Sequence, residues 1–160
     1  MEKNFKVPIV DGKWDRHFMK RAALASEMSK DPSTQVGAVI VGPNREVRST
    51  GYNGMPIGVN DDIAERLENR DLKLLFFEHA ERNAIILSGR HGTPTEGCTM
   101  YVNGSMGGLP PCADCARAII QAGIIRIVIT SVSLPDRWRD TCMAGMEMLH
   151  EAGVTVNMIG

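Results

Sequence analysis

The 160-residue sequence predicts one α/β domain, a mixed sheet of about five strands with helices on both faces. Three observations lead there. From residue 78 onward, helix-patterned and β-branched segments alternate, which implies parallel strands joined by helical crossovers. Ahead of them, two strand-like runs flank Pro43-Asn44, the pattern of an antiparallel hairpin. With 43% apolar and 23% charged residues, the chain has a soluble globular composition and is long enough to bury a core without staples.

The elements follow in order. A helix is expected from Asp15 to about Lys30, with Phe18, Met19, Ala22, Ala25 and Met28 on one side. Asp31-Pro32 stops it, because a residue before proline avoids helical backbone. Gln35 to Val41 is a nearly continuous apolar run, suited to a buried strand. A second strand covers about Glu46 to Tyr52, and Asn53 to Gly58 reads as a loop. The charge-rich stretch from Asp61 to Lys73 reads as a solvated helix or partial lid. A helix from near Glu78 to Gly89 precedes a strand from Gly97 to Val102. A Gly/Pro-rich loop spans Gly104 to Pro111. A helix from Cys112 to about Ala122 is stopped by Gly123. A strand from Ile124 to Thr130, a helix from about Trp138 to Ala152 and a strand from Val154 to Met158 complete the chain. One domain is expected over residues 1–160, with its core at about 14–157.

Composition excludes some partners. The formal net charge is -1 and aromatic residues make up 5%. Nucleic-acid binders carry a basic excess and, for single strands, aromatic stacking platforms; neither is present. The sequence has no transmembrane stretch and no signal-peptide core, so neither nucleic acid nor membrane is an expected partner and the cytoplasm is the expected location. In such a reducing compartment, a C-x-x-C pair reads as a metal or redox site before a disulfide. Cys98 and Cys142 stand alone and read as small buried apolar residues. His17, His91 and His150 read as surface residues.

The chemistry concentrates in His79-Ala80-Glu81 and Pro111-Cys112-Ala113-Asp114-Cys115. Cys112 and Cys115 are three apart, so one helical turn places both sulfurs on one face. A helix N-terminus favours thiolates, the metal-binding form. Two thiolates and the His79 imidazole make three zinc ligands and leave a fourth position for water, the pattern of a catalytic site. Glu81, two residues after His79, is placed to reach that water and move its protons. Closed structural zinc, with Cys112 and Cys115 joined by a fourth protein ligand, is the competing reading. His91, Cys98 and Cys142 do not sit at a partner spacing.

The H-x-E and P-C-x-x-C pair is the signature of zinc deaminases acting on nucleobases. The sequence resembles the zinc-dependent cytidine/deoxycytidylate deaminase superfamily. Within it, Ser29-Lys30-Asp31-Pro32 with Gln35 to Val41, the Gly51-Tyr52-Asn53-Gly54-Met55-Pro56-Ile57-Gly58 loop, His79 to Ile85 and Ile119 to Ile124 are similar to deoxycytidylate deaminases. The likeness covers roughly residues 14–157. It implies a cytidine deaminase-like three-layer α/β/α fold and hydrolysis of dCMP to dUMP and ammonia, supplying thymidylate synthesis. Glu81 would protonate N3 of the cytosine and then pass a proton to the departing ammonia.

The resemblance further implies that Asn53 contacts the deoxyribose, and the Ala80 N–H is the candidate contact for the base carbonyl. It implies a homohexamer activated by dCTP and inhibited by dTTP, with Mg2+ on the triphosphate. Lys30, Asp31, Asn53, Gly54 and Gly58 are the segments expected near that effector site. Met143, Met146 and Met148 read as core packing, or else as an oligomer face. The loop at 103–110 is longer and richer in glycine than the family pattern and is expected to border the pocket. Arg82, Arg117, Arg137 and Arg139 are the candidate phosphate cations. Competing functions are a cytidine nucleoside deaminase, a tRNA adenosine deaminase and a non-catalytic zinc-binding module. The low basic charge disfavours tRNA, the 51–58 loop disfavours the nucleoside, and Glu81 disfavours the module.

Overall fold

The computed structural model describes residues 5–160; the first four residues of the N-terminal stretch lie outside them. Strands β1 (Ile9–Val10), β2 (Val36–Val41), β3 (Val47–Tyr52), β4 (Thr99–Gly104), β5 (Arg126–Ile129) and β6 (Thr155–Ile159) form one sheet in the order β1-β6-β5-β4-β2-β3. β2 is antiparallel to both β3 and β4, while β4, β5, β6 and β1 run parallel. The mixed sheet and the hairpin agree with the sequence reading. The strand count is six where about five were expected. The additional strand is β1, whose two residues pair with Met158 and Ile159 at the sheet edge; two residues are too few to show a period.

Alternation along the strands sorts side chains between two layers. On one face, Val39, Val41, Tyr101 and Val128 pack with Phe18, Met19 and Ala22 of helix α1 (Lys13–Ser26). On the other, Ala38, Ile40, Met100, Val102, Ile127 and Ile129 meet helices α4 (Ala80–Arg90), α5 (Ala113–Gln121) and α6 (Asp136–Glu151). Cys98 and Cys142 are buried in this second layer, and Met146 and Met148 pack there as core residues. The expected charge-rich helix is two short helices, α2 (Ala64–Glu68) and α3 (Arg70–Phe76), neither of which buries a residue. Asn69 breaks them apart: its side chain accepts from the N–H groups of Asp71 and Leu72 and caps α3.

β4 runs two residues further than expected, so Asn103 and Gly104 join the sheet opposite Gly37 and Val36. Glycine had suggested a loop there. In the strand it permits close approach, because a Cβ at 104 would lie 2.0 Å from the Gln35 carbonyl oxygen. α6 begins at Asp136, two residues earlier than expected, directly after Pro135 at its N-cap. This gain follows from proline's fixed φ, which leads readily into a helix.

The topology gathers one end of the sheet. β4 and β5 are parallel, so their C-terminal ends point the same way. β2 is antiparallel to β4, which brings the 31–36 segment to that end, and β3 delivers Asn53 beside it. A cavity outside the C-terminal ends of parallel strands is the usual ligand position in open α/β sheets.

Candidate active site

His79 is the N-cap of α4 and Cys112 the N-cap of α5; neither side chain caps its helix, so both remain available. Their backbones are held by other groups. The Cys112 end of α5 is capped from α6, where the Thr141 hydroxyl accepts from the Ala113 N–H at 3.0 Å. Gly145 lets α6 come close: a Cβ there would lie 2.4 Å from the Pro111 carbonyl oxygen. On α4, Asn83 donates to the Tyr52 carbonyl at 2.9 Å and Ser49 donates to the Ala84 carbonyl at 2.7 Å. A two-way backbone bridge joins Gly54 and Glu78 at 2.8 and 3.1 Å, pinning the 53–58 loop to the residue before His79.

His79, Cys112 and Cys115 converge, with His79 Nδ1 3.4 Å from each sulfur. Tetrahedral zinc with ordinary Zn–N and Zn–S lengths would separate nitrogen and sulfur by about 3.5 Å. The spacing therefore fits zinc, and one nitrogen with two sulfurs is a donor set zinc favours. Among the described residues, it is also the group of three metal-ligating side chains close enough to share an ion.

Local electrostatics match. Hydrogen bonding from Cys115 and from His79 outweighs burial and brings the Cys112 thiol down to about 4. The bond to Cys112 lifts His79 to about 9. Cys115 is pushed up, by its bond to Cys112 and by burial, so it keeps its proton until a metal cation displaces it. Glu81 is buried beside this group, and that burial raises its carboxyl above the ordinary range. A carboxyl raised in this way holds a proton more readily than an exposed one, as a group that passes protons must.

His79, Glu81 and Cys112 line a cavity of about 460 Å³. Val36, Leu74, Phe77, Val102, Leu109 and Trp138 supply apolar wall, and Trp138 meets the His79 ring edge-on at 5.8 Å between centroids. The 105–110 loop borders the cavity through Met106, Gly107 and Leu109, as its position in the sequence predicted. It is fastened to the residue after β5 by the Gly108 N–H, which donates to the Thr130 hydroxyl at 2.6 Å.

The other expected residues divide. Asn53 and Ala80 line the cavity. Asn53 Oδ1 accepts from the Val36 N–H at 2.7 Å, and Nδ2 donates to the Thr34 carbonyl at 2.8 Å and faces Asp31 at 3.4 Å. Both amide protons are engaged; one Oδ1 lone pair is left. Ala80 opens α4, where backbone N–H groups have no intrahelical partner. Asp31 also lines the cavity and pairs with Lys73 at 2.9 Å. Lys30 turns outward to Asp61 and Asp62. Gly54 sits in the bridge to Glu78, and Gly58 is exposed with φ +88°.

Of the four arginines expected as phosphate cations, Arg137 alone lines the cavity. Arg82 pairs with Glu78, Arg117 with Asp114 and Arg139 with Asp136, each within its own helical neighbourhood. Sequence reasoning missed Arg70 and Lys73 of α3 as cavity residues. The charge-rich pattern marked a solvated helix, and nothing in it indicated which face turns inward.

Fold and site together define a zinc-type nucleobase deaminase: an α/β/α sandwich with His-Cys-Cys donors and a buried glutamate beside them. The chain belongs to the cytidine and deoxycytidylate deaminase family, whose zinc-binding region matches residues 12–131. It is 40% identical over 146 residues to human (Homo sapiens) deoxycytidylate deaminase, covering 89% of this chain and 77% of that protein. Against deoxycytidylate deaminase of Enterobacteria phage T2, it is 37% identical over 145 residues, covering 67% of this chain and 74% of that one. The dCMP deaminase of cyanophage S-TIM5, solved in complex with dCMP and dUMP, superposes with a TM-score of 0.72 at 26% identity, covering 93% and 98% of the two chains.

Proposed function

We propose that this chain deaminates dCMP to dUMP and ammonia, which would supply thymidylate synthesis. The observation that carries this is the buried Glu81 beside the His79, Cys112 and Cys115 donors, in a cavity that Arg70, Lys73 and Arg137 also line. Zinc, when bound by these three residues, supplies the Lewis acid that lets water act as a nucleophile at neutral pH. Glu81 takes the proton from that water and gives it to N3 of the cytosine. The water oxygen bonds to C4, and Glu81 then carries the second proton from the resulting C4 hydroxyl to the exocyclic amine; the C4–N bond breaks, ammonia leaves and C4 keeps the oxygen as a carbonyl. The Ala80 N–H donates to the base carbonyl. The open lone pair of Asn53 Oδ1 suits a sugar hydroxyl as donor.

The phosphate is assigned to Arg70 and Arg137. Both residues line the cavity, and among the described residues neither side chain has a hydrogen-bond or ion-pair partner. Lys73 is already committed to Asp31. A nucleotide monophosphate accounts for two unpaired arginines lining a largely apolar cavity; a nucleoside does not. Polymeric RNA would need a wider basic surface than a chain of net charge -1 provides.

The proposal extends to what the family resemblance implies for control: a cytoplasmic homohexamer activated by dCTP and inhibited by dTTP, each carrying Mg2+. Steady-state assays with each triphosphate and sedimentation of the zinc-loaded protein test this part. Flat responses reject the regulation.

The decisive assay compares dCMP, deoxycytidine and adenosine. Turnover of dCMP should be far faster than that of the other two, and preference for an unphosphorylated nucleoside sinks the nucleotide assignment. Arg70→Gln and Arg137→Gln should each raise KM for dCMP about tenfold, the loss of roughly 1.4 kcal/mol of phosphate binding. Deoxycytidine turnover should stay as it was.

A further inference from the structure

We infer that Lys73 and Asp31 are positioning residues that fix the Asn53 amide from the lid segment α2–α3; the inference rests on the dCMP reading for its catalytic consequence. α2 and α3 bury no residue, yet α3 walls the cavity through Arg70, Lys73 and Leu74. Its ion pair into the body of the protein is Lys73 Nζ on Asp31 Oδ1 at 2.9 Å, with side chains 16% and 6% exposed. The same Oδ1 accepts from the N–H groups of Ser33 and Thr34 at 2.8 and 3.1 Å. Asp31 Oδ2 faces Asn53 Nδ2.

The carboxylate thus sits between the lid and a cavity residue. It holds the 31–34 turn whose Thr34 carbonyl takes the other Asn53 proton. With acceptors on the nitrogen side and the Val36 N–H on the oxygen side, the amide has one orientation, and Oδ1 is left facing a donor. Lys73 neutralises the nearly buried charge. Without it the carboxylate is an uncompensated buried ion, and such groups move or take up water. The turn loosens, and the Asn53 amide is released with it.

Two measurements test this. The first needs no substrate: hydrogen exchange of the Asn53 side-chain amide, read by NMR in the zinc-loaded protein. Lys73→Met should speed that exchange at least tenfold and Lys73→Arg should restore slow exchange. α3 buries no residue, so neither change disturbs the core. Unchanged exchange in Lys73→Met overturns the relay whatever the substrate is.

The second compares dCMP with 2′,3′-dideoxycytidine monophosphate. Wild-type protein should favour dCMP by about fivefold to tenfold in kcat/KM, the worth of one hydrogen bond. Lys73→Met should reduce that preference toward unity through KM, with kcat little changed. Adding Asn53→Ala should reduce it no further. A preserved preference with faster amide exchange would place the failure in the role of Asn53. A wild type inert on dCMP would place it in the dCMP reading.

Discussion

Glu81 is nearly buried and its carboxyl is raised by that burial, which suits a group that must both take and give a proton. Glu81→Gln keeps the shape and removes the proton carrier. It should bind zinc as the wild type does, measured by metal analysis, and lose turnover by about 10²- to 10⁴-fold. Cys112→Ala should instead lose metal and activity together. At this scale much of the site was legible in the sequence. His79 and Glu81 are two apart, and Cys112 and Cys115 three apart, so short-range geometry constrains each pair before any fold is known. Arg70, Phe77 and Trp138 were not legible as cavity residues. They come from two distant segments, α3 with its C-cap and α6, and their meeting depends on how the strands pair. Asn53 was legible as a candidate through its loop, but its bonds to Val36 and Thr34 depend on the 31–36 segment folding back beside it.

The elements carry the site by close contact between helix ends and the sheet. Gly51 of β3 lies under α4: a Cβ there would sit 2.5 Å from the Ala84 nitrogen and 2.6 Å from the Ala80 carbonyl oxygen. Gly51→Ala must therefore lift the helix that bears His79 and Glu81. Overpacking of this kind costs about 1–3 kcal/mol, and the variant should show lower zinc affinity along with lower thermal stability. Thr141→Val removes the cap on α5 and should cost about 1 kcal/mol, measured by denaturant unfolding. The order of helices and strands was readable because each carries its own period. The split of the lid into α2 and α3 was not. It is decided by Asn69, whose side chain caps α3. β1 was invisible for a different reason, since its two residues gain their meaning from β6, some 150 positions later.

Across the whole molecule, a polar cluster ties the α1 layer to the sheet. Asp15 of α1 accepts from Arg126 at 2.9 and 3.1 Å and from the Tyr101 hydroxyl at 2.8 Å, and Arg126 Nε donates to Asn157 at 2.7 Å. One helix and the three strands β4, β5 and β6 meet there. Burial pushes the Asp15 carboxyl upward, but Arg126 and Tyr101 outweigh it and hold it below its ordinary value of 3.8. Tyr101 is raised, first by burial and then by its bond to Asp15. The signs set a window. A carboxyl lowered by folding contributes stability above its unfolded value, and that contribution is lost as pH falls through the folded value. A phenol raised by folding contributes below its unfolded value and loses that contribution as pH rises through the folded one. Between about pH 5 and 9 both contributions are therefore in force. Asp15→Asn keeps an acceptor but not the charge, and hydrogen bonds to charged groups are worth about 1.5–3 kcal/mol. Its melting temperature should lie about 5 °C below that of the wild type across this window. The gap should narrow as pH falls from 3.8 toward the lower folded value, where the wild-type carboxylate is itself protonated. Thermal melts of both proteins at pH 7 and in steps down to pH 3 check this, and a gap of constant size would show that the cluster acts through packing and not through charge.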